Sequence, residues 1–271
     1  MGPIQEFKLK DYATLLGTFV GFVDIVLSIF LKSYHLAAFF IFLAIIADLL
    51  DGFVARKTKT GNEFGKELDS LSDGICFGVA PAILVFMMYT EPITRNKMPG
   101  WNMWIMIFPT FIFIAGAITR LAWFNISKNE GYTGLPTPIT AGFVAMSVIV
   151  DIVSYELTKT MSPSANGFNV FMHYAIPFLM IFLAYCNVTD KIAYGKSIRK
   201  KSGGLKYFLL TVFVLVIVTF ITTLFDFSGR EIVIVTLLII LWAMLIGFIA
   251  WGFVNAKKMR QETPITEQKT E

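Results

Sequence analysis

Eight apolar stretches, each about 20 residues long, leave this 271-residue chain few folds to choose from. They run approximately over 12–31, 36–55, 68–89, 101–124, 138–157, 170–187, 207–225 and 232–254. A helix of about 20 residues crosses the ~30 Å hydrocarbon layer of a bilayer. The expectation is therefore an all-α, polytopic integral membrane protein with about eight transmembrane helices. Composition agrees: 56% of residues are hydrophobic and 15% charged, against roughly 25% charged in an ordinary soluble chain. A soluble globule, a disordered chain and a collagen-like chain are excluded. The first stretch is too long for a cleavable signal peptide, and no small-residue cleavage site follows it. Cys76 and Cys186 both fall inside apolar stretches, so neither a disulfide framework nor a cysteine metal cluster is expected.

Eight crossings put both termini on one side, and the basic residues say which. Eighteen of the 23 Lys and Arg fall on the side of the N-terminus; only Lys32, Arg95, Lys97, Lys159 and Arg230 fall opposite. Lys and Arg accumulate in cytoplasmic loops, so both termini are expected in the cytoplasm, and the net charge of +4 calls for no nucleic acid. The organisation expected is a short cytoplasmic segment (1–11), a six-helix core (12–190), a basic loop (191–206), two additional helices (207–254) and a disordered cytoplasmic tail (255–271). Gly17 and Gly21 form a G-x-x-x-G on the first span, a pattern that reads first as close packing within the chain. Asp24 and Asp151 read as structural acids near the outer ends of their spans, and His35 and His173 as interfacial residues.

Chemistry concentrates between residues 48 and 73. Asp48 and Asp51 stand three apart and Asp69 and Asp73 four apart, spacings that place each pair on one helix face. A short connection makes the second and third spans antiparallel neighbours, so the four carboxylates can converge. Twelve residues precede Asp48 in its span, about 18 Å of helix, which keeps it within or just below the inner leaflet. At ~2.5–3.5 kcal/mol per acid near mid-membrane, four uncompensated carboxylates would cost on the order of 10 kcal/mol. Oxygen donors without His or Cys suit hard divalent cations such as Mg²⁺ or Mn²⁺; two ions nearly balance four carboxylates and form a clamp for an attacking and a leaving oxygen. Gly52 bares one helix face for a ligand, Gly65 does the same near the start of the third span, and Arg56, one turn beyond Gly52, offers a planar fork to a phosphate. The pattern describes a diphosphate site.

The spacing D-x2-D-G-x2-A-R-x8-G-x3-D-x3-D, filled at every fixed position from Asp48 to Asp73, resembles the signature of the CDP-alcohol phosphotransferases. The segments LDSLSDGICFGVAPA (68–82), GAITRLAWFN (116–125) and GLPTP (134–138), together with DYATLL at 11–16, resemble the phosphatidylserine synthase branch of that family. The resemblance implies a CDP-linked lipid, CDP-diacylglycerol or CDP-archaeol, from which L-serine displaces CMP with the help of two divalent cations, in a homodimer facing the cytoplasm. It also implies that Asp48, Asp51, Asp69 and Asp73 are metal ligands, that Asp73 is the base nearest the incoming hydroxyl, and that Thr14, Asp48, Gly52, Ala55, Arg56, Asn62 and Gly65 line the CDP-lipid site. Departures from the family pattern fall at Gly17, Asn62 and Trp123. Arg120, at the aspartate end of the fourth span, is the candidate for the serine carboxylate, with Asn125 beside it. A phosphatidylglycerophosphate or inositol-phosphate synthase would want more cations around its acceptor than Arg120 alone, and a divalent-cation transporter would explain the acids but not Gly52, Arg56 and their spacing.

Overall fold

The computed structural model describes residues 6–58, 62–91, 100–127, 132–161, 167–194 and 230–262, with short helical pieces between 211 and 222. The chain is built from helices: α1 (Leu9–Val26) running into a π-helical stretch (Leu27–Leu31), α2 (Tyr34–Thr58), α3 (Glu63–Asp73), a second π-helical stretch (Gly74–Val79), α4 (Ala80–Tyr89), α5 (Met103–Ile126), α6 (Thr137–Met161), α7 (Gly167–Val188) and α8 (Arg230–Glu262). Two-residue strands β1 (Tyr132–Thr133) and β2 (Ala193–Tyr194) pair antiparallel and tie the loop before α6 to the segment after α7.

Six described helices are long and apolar enough to cross a membrane: 10–31, 63–89, 103–126, 137–155, 170–188 and 232–257. The second expected span is present as a shorter apolar helix, Tyr34–Leu50, inside α2. α2 itself runs on to Thr58, and beyond Leu50 its side chains, Gly52 apart, lie outside the described residues. Most of the expected span 207–225 lies outside the described residues, as does most of the basic loop. α8 continues to Glu262, eight residues beyond the span boundary expected at 254. Residues 263–271 of the expected tail lie outside the described residues.

Large apolar side chains face outward on several helices, among them Leu16, Phe19 and Phe22 on α1, Trp104, Phe108 and Phe111 on α5, and Phe171 and Phe178 on α7. Lipid tolerates such faces, whereas water would drive them together. Small residues line the inner contacts. Gly21 meets Cys76, where an added Cβ would stand 2.7 Å from the sulfur, and Gly17 rests on Ala47. The G-x-x-x-G of α1 is thus spent on packing within the chain. Gly116 of α5 lies against the Ala184 backbone of α7, and Gly78 against Ala117. The most buried span is α6.

Of the isolated polar groups, Asp151 accepts from the Tyr89 hydroxyl at 2.8 Å and Asp24 from the Ser28 hydroxyl at 3.3 Å, both deeply buried. His35 is exposed, whereas His173 is buried, stacked on Trp101 and edge-on to Tyr174. An aromatic cluster encloses it, which the isolated position of a His in an apolar run does not reveal.

Candidate active site

The site is assembled where α1, α2 and α3 meet at one end of the bundle. Asn62 starts α3: its side-chain oxygen accepts the Gly65 N–H at 2.9 Å, a standard way to satisfy a free amide of a helix's first turn. Its Nδ2 donates to the Glu6 carbonyl at 2.9 Å, which fastens the start of α3 to the segment ahead of α1. With the first turn so fixed, Asp69 and Asp73 fall on one face.

Hydroxyls and a thiol then hold that face against α1. Thr18 donates to the Ser72 hydroxyl at 2.7 Å, Ser72 to the Thr14 carbonyl at 3.4 Å, and the Cys76 thiol to the Gly17 carbonyl at 3.4 Å. Gly65 is needed because the side chains of Lys10 and Asp11 lie where its Cβ would be. Both are withdrawn from solvent; Lys10 stands 3.8 Å from Asp11 and also acts electrostatically on Asp69. The bare face of Gly65 therefore admits a lysine from α1.

Across from this seam, carboxylate oxygens of Asp48, Asp69 and Asp73 all lie within 4.8 Å of one another, each half-buried. They open into a cleft whose wall includes Thr14, Gly17, Ala44, Ser72, Cys76 and Phe77. Hard oxygen donors gathered at this spacing, on three turns of two helices, fit a divalent cation. The side chains of Asp51, Ala55 and Arg56 lie outside the described residues, although their backbone belongs to α2. Gly52 is half-buried on the same helix.

The two acceptor candidates are placed differently. Arg120 sits half-buried on α5 between Ala117, which touches Gly78, and Leu121, whose Cδ1 lies 3.9 Å from where a Gly74 Cβ would be. It is therefore at the depth of Asp73. Asn125 lies one turn further out and bridges α5 to α3: its Oδ1 accepts from Ser70 at 3.1 Å, its Nδ2 donates to Glu67 at 3.0 Å, and its carbonyl accepts from Lys66 at 2.9 Å. That amide orients α5 against the aspartate helix.

The structure thus brings Thr14, Asp48, Asp69 and Asp73 to one cleft and puts Asn62, Gly65 and Asn125 at its supports. Residues the motif did not single out are Lys10, Ser72 and Cys76. The last two follow from helical period, since Ser72 and Cys76 continue the face of α3 that meets α1.

The family model described as CDP-alcohol phosphatidyltransferase matches residues 9–181. The chain is 39% identical over 133 residues to a CDP-diacylglycerol-serine O-phosphatidyltransferase of Methanocaldococcus jannaschii, covering 49% of this chain and 56% of that protein. It is 37% identical over 164 residues to an archaetidylserine synthase of Methanothermobacter thermautotrophicus (59% and 62%). A CDP-diacylglycerol-serine O-phosphatidyltransferase of Helicobacter pylori is 35% identical over 156 residues (55% and 61%). The matched part of the chain spans a little over half the length of these relatives.

Proposed function

Because the chain belongs to the CDP-alcohol phosphatidyltransferase family, we propose that it transfers the phosphatidyl or archaetidyl group of a CDP-activated lipid to the hydroxyl of L-serine, with release of CMP. The observation that carries this reading is the cluster of Asp48, Asp69 and Asp73 at one cleft, in a chain whose similar proteins are named for transfer to serine. Asp48, Asp51, Asp69 and Asp73 would hold two divalent cations, Mg²⁺ or Mn²⁺. When bound, such ions neutralise the diphosphate and stabilise the departing CMP oxygen.

The chain's own residues do the rest. Thr14, Gly52, Ala55, Arg56, Asn62 and Gly65 form or support the CDP-lipid site, with Arg56 supplying a fork to phosphate oxygens. Serine's hydroxyl is a poor nucleophile at neutral pH, and a base within hydrogen-bond reach must take its proton. Asp73, one turn from Asp69 and facing the same cleft, takes that proton. The serine oxygen bonds to the phosphorus that carries the lipid, the bond from that phosphorus to CMP breaks, and CMP leaves with the electron pair. Arg120 pairs with the serine carboxylate, and Asn125 holds α5 at the distance this requires. We further place both termini and the cleft on the cytoplasmic side, from the eighteen-to-five split of basic residues, and expect a homodimer.

The test is purified protein in detergent with CDP-diacylglycerol or CDP-archaeol, Mn²⁺ or Mg²⁺, and a choice of acceptors. CMP release that depends on serine supports the reading. Release with glycerol 3-phosphate or inositol phosphate and none with serine would replace it.

A further inference from the structure

Asn187, at the end of α7, is 1% exposed, and among the described residues neither its Oδ1 nor its Nδ2 has a hydrogen-bond partner. Thr137, the first residue of α6, is fully buried, and its Oγ1 likewise lacks a partner among the described residues. Burying such groups unpaired costs about 1–3 kcal/mol each. A fold keeps that cost where something else completes the bonds.

Both residues are held there by specific backbone contacts. The loop ahead of α6 turns at Gly134, whose φ of +77° and close approach to the Asn187 carbonyl both exclude a side chain. The Leu135 N–H donates to the Cys186 carbonyl at 2.7 Å and the Gly134 N–H to the Ile192 carbonyl at 2.9 Å. The start of α6 and the end of α7 are therefore laced together.

Their depth follows from the helix contacts. Trp101, just ahead of α5, donates to the His173 carbonyl on α7, and Gly116 meets Ala184, so α5 and α7 run side by side in the same direction. Asn187 lies three residues past Ala184 and Arg120 four past Gly116, about 4.5 and 6 Å further along. On the other side, Gly142 of α6 faces Ile45 and Phe42 of α2; these helices are antiparallel, so Thr137 returns to the level of Asp48. The two unpartnered groups thus belong to the same end and the same layer of the bundle as Asp48, Asp73 and Arg120.

We propose that Asn187, assisted by Thr137, reads the amino-acid end of the acceptor. A primary amide with both ends unpaired is suited to a zwitterion: Nδ2 donates to the carboxylate and Oδ1 accepts from the ammonium. Glycerol phosphate or inositol phosphate lacks that pair of groups. Arg120 fixes the carboxylate by charge, and Asn187 distinguishes an α-amino acid from a plain acid. This inference rests on serine being the acceptor.

Asn187→Leu and Thr137→Val are near-isosteric and remove unpaired polar atoms, so both variants should fold, with melting temperatures in detergent equal to or above that of the parent. Asn187→Leu is expected to raise the serine KM at least tenfold while the KM for CDP-lipid stays within twofold; Thr137→Val should act in the same direction and less. A serine KM within twofold of the parent, or a fall in melting temperature with both KM values moving together, overturns the inference and leaves the proposed reaction standing. A parent protein that releases no CMP with serine overturns both.

Discussion

Three carboxylates within 4.8 Å of one another repel strongly unless a cation lies among them. At an effective dielectric of about 20, two unit charges at that distance interact by roughly 3.5 kcal/mol. Replacing Asp69 by Asn removes two of the three pairs, a relief of about 7 kcal/mol if every acid stays charged, less the attraction to Lys10 that the variant also gives up. Protonation limits the strain: neutralising one ordinary aspartate at pH 7 costs about 4 kcal/mol, from a reference pKa of about 3.9. Relief in metal-free protein is therefore expected between about 1 and 4 kcal/mol. One kcal/mol moves the melting temperature of a chain of this size by about 2–4 °C. Asp69→Asn should accordingly melt at least about 2 °C higher than the parent in excess chelator. With saturating Mn²⁺ the order should reverse, because the parent gains binding energy and the variant gains little. Thermal unfolding in detergent, run with chelator and across a metal titration, reads both limbs. Metal-dependent CMP release should fall more than tenfold in the variant. If Asp69→Asn were no more stable than the parent in chelator, and were stabilised equally by metal, the three acids would not form a shared cation site.

Asp73→Asn should lower turnover by at least a hundredfold while CDP-lipid affinity changes less than threefold, because Asp48, Asp51 and Asp69 remain to anchor metal; equal losses in both, measured by CMP release and nucleotide-lipid binding, would leave Asp73 a ligand only. Arg120→Lys should raise the serine KM well before the KM for CDP-lipid, since a point charge cannot copy a bidentate fork; a collapse of CDP-lipid binding at unchanged serine KM would assign Arg120 to the donor phosphates. Gly21→Val should destabilise by about 1–3 kcal/mol, because a Cβ there already meets Cys76 at 2.7 Å from the sulfur and 3.1 Å from the backbone, and it should reduce activity by pushing α1 off the face that carries Ser72. An unchanged melting temperature and turnover would show that the α1 seam does not position the aspartates.

Much of the fold was legible because a bilayer imposes a single length on every crossing. Seven of the eight expected apolar stretches correspond to described apolar helices, and the eighth falls mostly outside the described residues. Length alone did not reveal that the span after Asn62 is α3, a π-helical stretch and α4 in series. A π turn depends on which residues must face which neighbour: here Cys76 meets Gly21 and Gly78 meets Ala117. Those pairings join positions far apart in the chain, and no local pattern encodes them.

The aspartates were legible for a related reason. Asp48, Asp69 and Asp73 lie on two helices joined by a short connection, so helical period alone brings their side chains to a common place. Asn125 shows where that reasoning stops. Its proximity to Arg120 in sequence suggested a shared ligand, yet one turn of helix carries it to Ser70 and Glu67, where it fixes the distance between α5 and α3. Asn187 is the opposite case. In the sequence it is the last residue of an apolar stretch and resembles a boundary; it reaches the depth of Arg120 only because Gly116 admits α7 and Gly134 admits the loop. Residues that act on a CDP-lipid diphosphate can come from one antiparallel hairpin of helices. A pocket that must also encircle a small zwitterion needs walls from helices that arrive later in the chain, and the contacts that bring those walls in are made by glycines with no chemistry of their own.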